Sequence, residues 1–138
     1  MGIEEGEITA VPAPVTEALC YRGAHDTRPG YAWPAMQCIG PGGWLATARG
    51  LLKFLVGVRG HAVLDEVTTR LMLRGKLGWY EGRTRFGPYY HHNGGLFTGA
   101  GQQLHTGAVH FPAGYDAVLL INSPPGGTIR LMARAFVA

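Results

Sequence analysis

The residues with the clearest capacity for chemistry lie in the stretch 89–99, which reads YYHHNGGLFTG. The stretch begins with aromatic residues that favour a strand and continues into glycines, which have no Cβ and let a ligand or another strand approach the backbone closely. We therefore predict a strand over Tyr89–His92 followed by a glycine-rich loop. His92 and Asn93 would then stand at the end of the strand, where a polar side chain can point into a cleft. An imidazole in such a place suits proton transfer or hydrogen bonding near neutral pH.

Other residues that often form sites show weaker patterns. His91 and His92 are adjacent on the predicted strand and should face opposite ways, and so should His105 and His110. The sequence contains no His-Glu-x-x-His or Cys-x-x-Cys pattern, so we expect no metal and no cofactor. Residues 94–101 are glycine-rich but lack the lysine of a phosphate loop, which argues against nucleotide binding.

Four short motifs, taken together, resemble those of the serine β-lactamase-like hydrolases, the family of class C β-lactamases, penicillin-binding proteins and related esterases. His92–Gly95 is similar to the family's third active-site box, which in many relatives reads His-x-Gly followed by another glycine. The other three motifs are GGWLATA at residues 42–48, LGWY at 77–80 and AVLLINS at 117–123. Their order and spacing are similar to those in the C-terminal part of the family, and the resemblance covers about residues 40–138.

The resemblance implies roles for the residues of the box, but the family's other catalytic motifs are absent from this sequence. In the family, the position of His92 holds substrate or transfers protons, and the backbone N–H at the position of Gly95 forms half of an oxyanion hole. The nucleophile of the family's Ser-x-x-Lys turn is missing, because the only serine is Ser123, followed by two prolines. The family's Tyr-x-Asn box is missing too, since neither Asn93 nor Asn122 has a tyrosine two residues before it.

Two helices are predicted on the N-terminal side of the box. The first begins after Thr47, a residue type that caps helices, and contains Gly50, which weakens a helix by up to ~1 kcal/mol relative to alanine. Its apolar residues recur at helical spacing and should bury one face: Leu51, Phe54, Leu55 and Val58. The second helix should start near Asp65 and end at Gly75. It should present three apolar residues to the core: Val67, Leu71 and Met72.

The remaining patterns predict the sheet and its last helix. Strands are expected at Leu77–Tyr80, Tyr89–His92, Gln102–Phe111 and Ala117–Asn122, with a hairpin connection at Arg83–Gly87. A C-terminal helix should pack on the sheet through Ile129, Met132, Ala133 and Phe136. The fold class is therefore α+β, an antiparallel sheet of about four or five strands flanked by helices. With the resemblance, it is a truncated β-lactamase-like domain over residues 39–138, preceded by an irregular segment over residues 1–38.

The composition of the chain limits the kinds of partner that the protein is expected to bind. The chain has 138 residues and a formal net charge of +3, and its ten arginines are scattered along the sequence. We expect a mixed solvated surface and no nucleic-acid face, and no apolar run is long enough to span a membrane. Residues 1–5 are acidic where a signal peptide would be basic, so we expect a cytoplasmic protein in which Cys20 and Cys38 are free thiols.

These observations lead to two main hypotheses on function. The first is a non-catalytic half-domain that binds a small molecule or peptide beside His92, Asn93, Gly94 and Gly95, or that assembles with itself; no catalytic residue is assigned. The alternative is one half of a split serine hydrolase whose partner chain supplies the nucleophile. A gene fragment that folds without a selected function is a third reading.

One strand edge bears on all three hypotheses. In the family, the strand that corresponds to residues 117–122 pairs with an N-terminal strand that this chain lacks, so its edge would be bare. We expect the segment around Ile8–Val11, or a second copy in a homodimer, to cover it.

Overall fold

The structure, a computed structural model, describes residues 2–4, 7–9, 44–97, 103–122 and 127–138. Within these residues an antiparallel sheet of four strands has helices on both of its faces. The predicted α+β class, with a C-terminal helix packed on the sheet, is therefore confirmed.

Sheet order follows chain order. A two-stranded ribbon pairs β1 (Ile8–Thr9) with β2 (Leu45–Ala46). The main sheet has the order β3-β4-β5-β6, and its strands are β3 (Tyr80–Thr84), β4 (Gly87–Phe97), β5 (Gln103–His110) and β6 (Asp116–Ile121). Every neighbouring pair is antiparallel, and a short 3-10 turn at Pro112–Gly114 lies between β5 and β6.

The C-terminal helix α3 (Thr128–Val137) covers one face of the sheet. The core on this side is formed by Val109, Phe111 and Met132, which are at most 8% exposed. The rest of the predicted apolar stripe of α3 packs against these three residues, as expected: Ile129, Ala133 and Phe136. The Phe136 ring stacks on Phe111 with a centroid distance of 4.2 Å.

Helix α1 (Ala48–Arg59) packs against β5 and β6. Thr47 caps it as predicted, since its Oγ1 accepts a hydrogen bond from the backbone N–H of Gly50 at 3.0 Å. Leu55 and Val58 are buried, whereas Phe54 lies at the exposed margin of the predicted face. The apolar period therefore identifies the buried side of this helix correctly.

Close packing explains the glycine in the first turn of α1. A Cβ on Gly50 would lie 2.6 Å from the carbonyl oxygen of Glu7 and 2.8 Å from the Glu7 Cβ. The same carbonyl accepts a hydrogen bond from the backbone N–H of Thr47 at 2.9 Å, and the Glu7 carboxylate pairs with Lys53 at 2.8 Å. The hydrogen bond from Lys53 lowers the pKa of Glu7. Helix propensity alone gives no hint that the N-terminal segment approaches here.

The predicted cover for the edge of β6 is only partly described. Ile8 and Thr9 pair with Ala46 and Leu45, so this part of the segment lies on β2 and not on β6. Residues 10–11 fall outside the described residues. In the part of the chain that the structure describes, β6 has one strand neighbour, β5.

The second helix, α2 (Glu66–Arg74), starts and ends as predicted but turns a different face inward. The Asp65 side chain accepts from the Thr68 N–H at 2.7 Å, and Gly75 forms the C-cap. Val67 and Leu71 are 68% and 63% exposed, so their predicted burial is wrong. The buried residue is Thr69, which satisfies its hydroxyl by donating to the Leu64 carbonyl.

Two predicted strand boundaries are also wrong. Residues 75–78 are a turn and β3 starts at Tyr80, because the backbone N–H of Leu77 still bonds the Met72 carbonyl and Gly78 adopts φ +75°. The hairpin turn contains only Arg85 and Phe86, so residues 83 and 84 belong to β3.

Candidate functional site

Strand β4 carries the predicted box residues and continues through the glycines. Gly94 pairs with Thr106 and Gly95 with His105 in the ladder to β5, which runs as far as Phe97. The predicted loop after His92 is therefore wrong, because the ladder holds the glycines in extended conformation. A Cβ on Gly94 would lie 2.6 Å from the Thr106 Oγ1, so at this position glycine makes room for a cross-strand side chain.

The His92 imidazole is exposed but held in one orientation. Its Nδ1 lies 2.7 Å from the carbonyl oxygen of Gly78, and the ring stacks on Tyr80 with a centroid distance of 6.2 Å. A carbonyl oxygen only accepts, so Nδ1 must donate this hydrogen bond. In the neutral ring Nε2 is then left as an acceptor. Among the described residues, a backbone carbonyl and an aromatic ring orient His92, and no carboxylate bonds to it.

The main chain after His92 is open on one side. The last pair between β3 and β4 is Tyr80 with His91, so residues 93–97 have a strand partner only in β5 within the described residues. Asn93 and Gly95 are exposed. Because side chains alternate along a strand, Asn93 points to the opposite face of the sheet from His92. The box therefore offers a backbone edge with one oriented imidazole at its start.

His91 faces the α3 side of the sheet, opposite to His92 as predicted. Its ring lies between Tyr80 and Tyr89, 5.6 Å from each centroid. Its Nδ1 is buried and has no hydrogen-bond partner among the described residues. Burial, and then the nearby charge of His92, lower the pKa of His91. This arrangement disfavours the charged form of the His91 ring, and its aromatic contacts make it a packing residue.

A second polar cluster, which the sequence patterns do not predict, joins α1 to the sheet. His110 at the end of β5 and Asp116 at the start of β6 are cross-strand partners, and the His110 Nδ1 donates to the Asp116 Oδ1 at 2.5 Å. Arg59 at the end of α1 donates to the same carboxylate through Nε at 3.0 Å and Nη2 at 2.7 Å. The Trp79 ring packs on His110 with a centroid distance of 4.7 Å.

The electrostatics of this cluster favour an ionised aspartate. Burial acts to raise the pKa of Asp116, but the hydrogen bonds from His110 and Arg59 outweigh it and hold that pKa below its ordinary value. The side chains of His110 and Asp116 are each 5% exposed. The Arg59 Nη2 also donates to the carbonyls of Phe111 and Tyr115. Arg59 therefore fixes the connection between β5 and β6 as well as the carboxylate.

The cluster has the orientation of a histidine–carboxylate pair but no nucleophile. The His110 Nε2 is buried and has no hydrogen-bond partner among the described residues, so no hydroxyl or thiol in that part of the chain is placed to give it a proton. Its geometry is that of a structural clamp. Sequence reasoning missed it because Arg59, His110 and Asp116 come from three elements. The only available signal is that His110 lies at the end of a predicted strand and Asp116 opens the next.

Three residues considered in the sequence, Cys20, Cys38 and Ser123, fall outside the described residues. Within the described segments, no three histidine, cysteine, aspartate or glutamate side chains lie together as a metal site would require. In those segments, no helix combines the length and the apolar character needed to cross a membrane. No family model, curated protein or solved structure matches this chain.

Proposed function

We propose that the protein is a non-catalytic binding module that resembles the C-terminal part of the serine β-lactamase-like hydrolases. The order of the motifs supports this proposal: residues 77–80 lead into β3, His92–Gly95 lie in β4, and residues 117–121 form most of β6. The missing Ser-x-x-Lys and Tyr-x-Asn motifs favour binding over catalysis. The lysines do not replace the missing one, since Lys53 pairs with Glu7 and Lys76 with Glu81.

The observation that carries the proposal is the half-open strand β4. Beyond the pair formed by Tyr80 and His91, alternate N–H and C=O groups of residues 93–97 point away from β5 and meet no other described strand. An extended peptide can pair with such an edge, gaining affinity from main-chain hydrogen bonds. The His92 imidazole lies at the start of the edge, and in the neutral ring its Nε2 would accept a hydrogen bond from a donor side chain of the peptide. The ligand we propose is therefore an extended peptide.

A titration of the 15N-labelled protein with a library of unstructured hexapeptides tests this. We expect peptide binding to shift the amide signals of residues 93–97 and to slow their hydrogen exchange. His92→Ala should weaken binding, whereas His61→Asn should not, because His61 is an exposed imidazole in the α1–α2 connection. Asparagine suits the positive φ of residue 61. The proposal would be contradicted if the shifted signals lie outside residues 93–97, or if both variants lose the same amount of peptide affinity.

Catalysis gives a separate test. The purified chain should not hydrolyse an acyl ester or a β-lactam above the rate of a His92→Ala variant. Hydrolysis that depends on His92 would rule out a non-catalytic module, because it would make that imidazole a catalytic group, for example as a base that activates water.

Self-assembly through β6 is the second candidate, and one observation favours it. The strand forms one side of the described sheet, residues 117–121 carry no charge, and α1 and α3 cover its two faces. An apolar edge of this kind readily pairs with another strand. We propose a homodimer through this edge, and light scattering behind a sizing column measures it. In a dimer, alternate amides of residues 117–121 gain protection from exchange as protein concentration rises.

The same edge distinguishes the split-hydrolase alternative. In the resembled family, this is where an N-terminal strand pairs, so a complementing chain would occupy it in place of a second copy. Co-purification from the native source with a chain that carries Ser-x-x-Lys and Tyr-x-Asn would support that alternative. Recovery of a self-associated species alone would favour the homodimer.

A further inference from the structure

A groove of about 530 Å³ runs between the β3–β4 hairpin and helix α3. Its walls carry two arginines from the hairpin and two from the helix: Arg83, Arg85, Arg130 and Arg134. Arg130 and Arg134 lie four residues apart and share a face of α3, and Arg85 reaches the same helix from the hairpin turn. The fold thus brings together arginines that are scattered in the sequence.

The charges in this groove are not neutralised by the described residues. None of the residues that line it is acidic. Arg83, Arg130 and Arg134 are exposed and form no hydrogen bond or ion pair within the described part of the chain. Arg59 and Lys53, by contrast, each pair with a carboxylate. Like charges four residues apart destabilise a helix, so the pair on α3 has an unfavourable interaction that a bound anion would remove.

The groove is also held in shape. The Arg85 Nη2 donates to the Val137 carbonyl at 2.8 Å, which ties the hairpin turn to the end of α3. The Phe86 ring meets Phe136 edge to face with a centroid distance of 5.7 Å. Apolar and aromatic residues of the sheet and helix complete the lining: Tyr89, Ile129 and Ala133. A ligand would therefore meet a preformed apolar floor between two positive walls.

We propose that this groove binds a small organic anion, in which a carboxylate or phosphate is carried on an apolar body. Guanidinium groups form bidentate hydrogen bonds with both anions, and the volume lies within the range of about 300–1,000 Å³ usual for small-molecule pockets. A phosphodiester chain would use the arginines but leave the apolar floor without a partner, which favours a small amphipathic ligand over nucleic acid. The proposal does not depend on the edge of β4, which lies elsewhere on the sheet.

Three probes separate the contributions of charge and apolar body: 1-naphthyl phosphate, inorganic phosphate and 1-naphthol. Calorimetry should show that 1-naphthyl phosphate binds at least about tenfold more tightly than either of the others. Methyl NMR signals of Ile129 and Ala133 should shift in the same titration. Binding should weaken as salt is added, because exposed charges are screened. No methyl shift at about 1 mM probe, where even weak sites fill measurably, would overturn the proposal.

Charge-matched variants locate the site. Arg130→Gln and Arg134→Gln should each weaken the binding of 1-naphthyl phosphate about fivefold or more, since each removes a charged donor of α3 from the groove. Arg74→Gln removes the same charge from an exposed position on α2, outside the groove, and should change binding less than about twofold. Equal weakening by all three would mean only general charge attraction and would overturn the proposal. A thymidine oligonucleotide of twelve nucleotides that binds more tightly than 1-naphthyl phosphate and displaces it would overturn the proposal in favour of a nucleic-acid ligand.

Discussion

Removing the charge of Asp116 tests whether the cluster with Arg59 and His110 holds α1 on the sheet. In Asp116→Asn the side chain keeps its shape, but the two donors lose an ionised acceptor. Breaking one side of a buried ion pair costs about 3–5 kcal/mol. Arg59 is 33% exposed and keeps its bonds to two carbonyls, so water and backbone offset part of that cost. We therefore expect the free energy of unfolding to fall by about 2–4 kcal/mol.

Urea unfolding followed by tryptophan fluorescence is the appropriate assay, because Trp79 packs directly on His110. Glu66→Gln is the matched control. It removes one carboxylate from the exposed pair with Arg70, in which both side chains are more than half exposed. Surface pairs of this kind contribute about 0–1 kcal/mol, so the control should lie close to the wild type. A loss for Asp116→Asn no larger than that of the control would refute the structural role of the cluster.

The stabilisation that the Asp116 carboxylate contributes should also depend on pH and should decrease on acidification. Its pKa in the folded protein is below the ordinary value of 3.8, so the folded state favours the ionised form. The stabilisation is fully present above pH 3.8 and is lost as the pH falls below that value through the lowered pKa of the folded state. The difference in unfolding free energy between wild type and Asp116→Asn should therefore narrow on acidification. A constant difference from pH 6 to well below pH 3.8 would contradict this account.

Two further pairs of substitutions test packing. Gly50→Ala should lower the free energy of unfolding by about 1–3 kcal/mol, because its Cβ would overlap the backbone of Glu7. Gly57→Ala is the control in the same helix. Its Cβ would meet only one side-chain carbon, at 3.3 Å, so the free energy of unfolding should stay unchanged or rise by up to about 1 kcal/mol. If urea unfolding shows the same change in stability for both variants, helix propensity alone would account for the effect, and the close approach of Glu7 would not matter. Met132→Ala, at an 8% exposed core position, should lose about 2–4 kcal/mol, against less than about 1 for Leu131→Ala at 50% exposure. Similar losses would mean that α3 does not pack as described.

Local signals predicted the helices well. Thr47 and Asp65 cap α1 and α2 because a short side-chain acceptor satisfies an N–H three residues later, an interaction contained within one turn. The buried face of α3 is equally predictable, since the helical period of its apolar residues alone sets which side packs on the sheet. The buried face of α2 is not predictable in this way, because Thr69 satisfies its own hydroxyl locally and so tolerates burial better than its polarity indicates.

The errors at the box have one cause. The glycines at residues 94 and 95 have low strand propensity, and the prediction of a loop rests on that alone. Their ladder with β5 supplies hydrogen bonds that propensity ignores, and Gly94 in addition receives the Thr106 side chain in the space a Cβ would fill. Nonlocal pairing therefore outweighs the local preference. The same limit hides the Arg59 cluster and the arginine groove, whose members meet only once the chain is folded.

The order of the sheet keeps the proposed activities separate. Strand β5 lies between β4 and β6, so pairing of a second copy with β6 leaves the free side of β4 open. The arginine groove lies between α3 and the turn end of the β3–β4 hairpin, whereas the free side of β4 begins at the other end of that ladder, beyond the pair of Tyr80 with His91. Peptide binding at β4 should therefore have the same affinity in the monomer and in the dimer. An affinity that changes with protein concentration would show that the two edges are coupled, and would mean that self-association competes with the ligand for β4 itself.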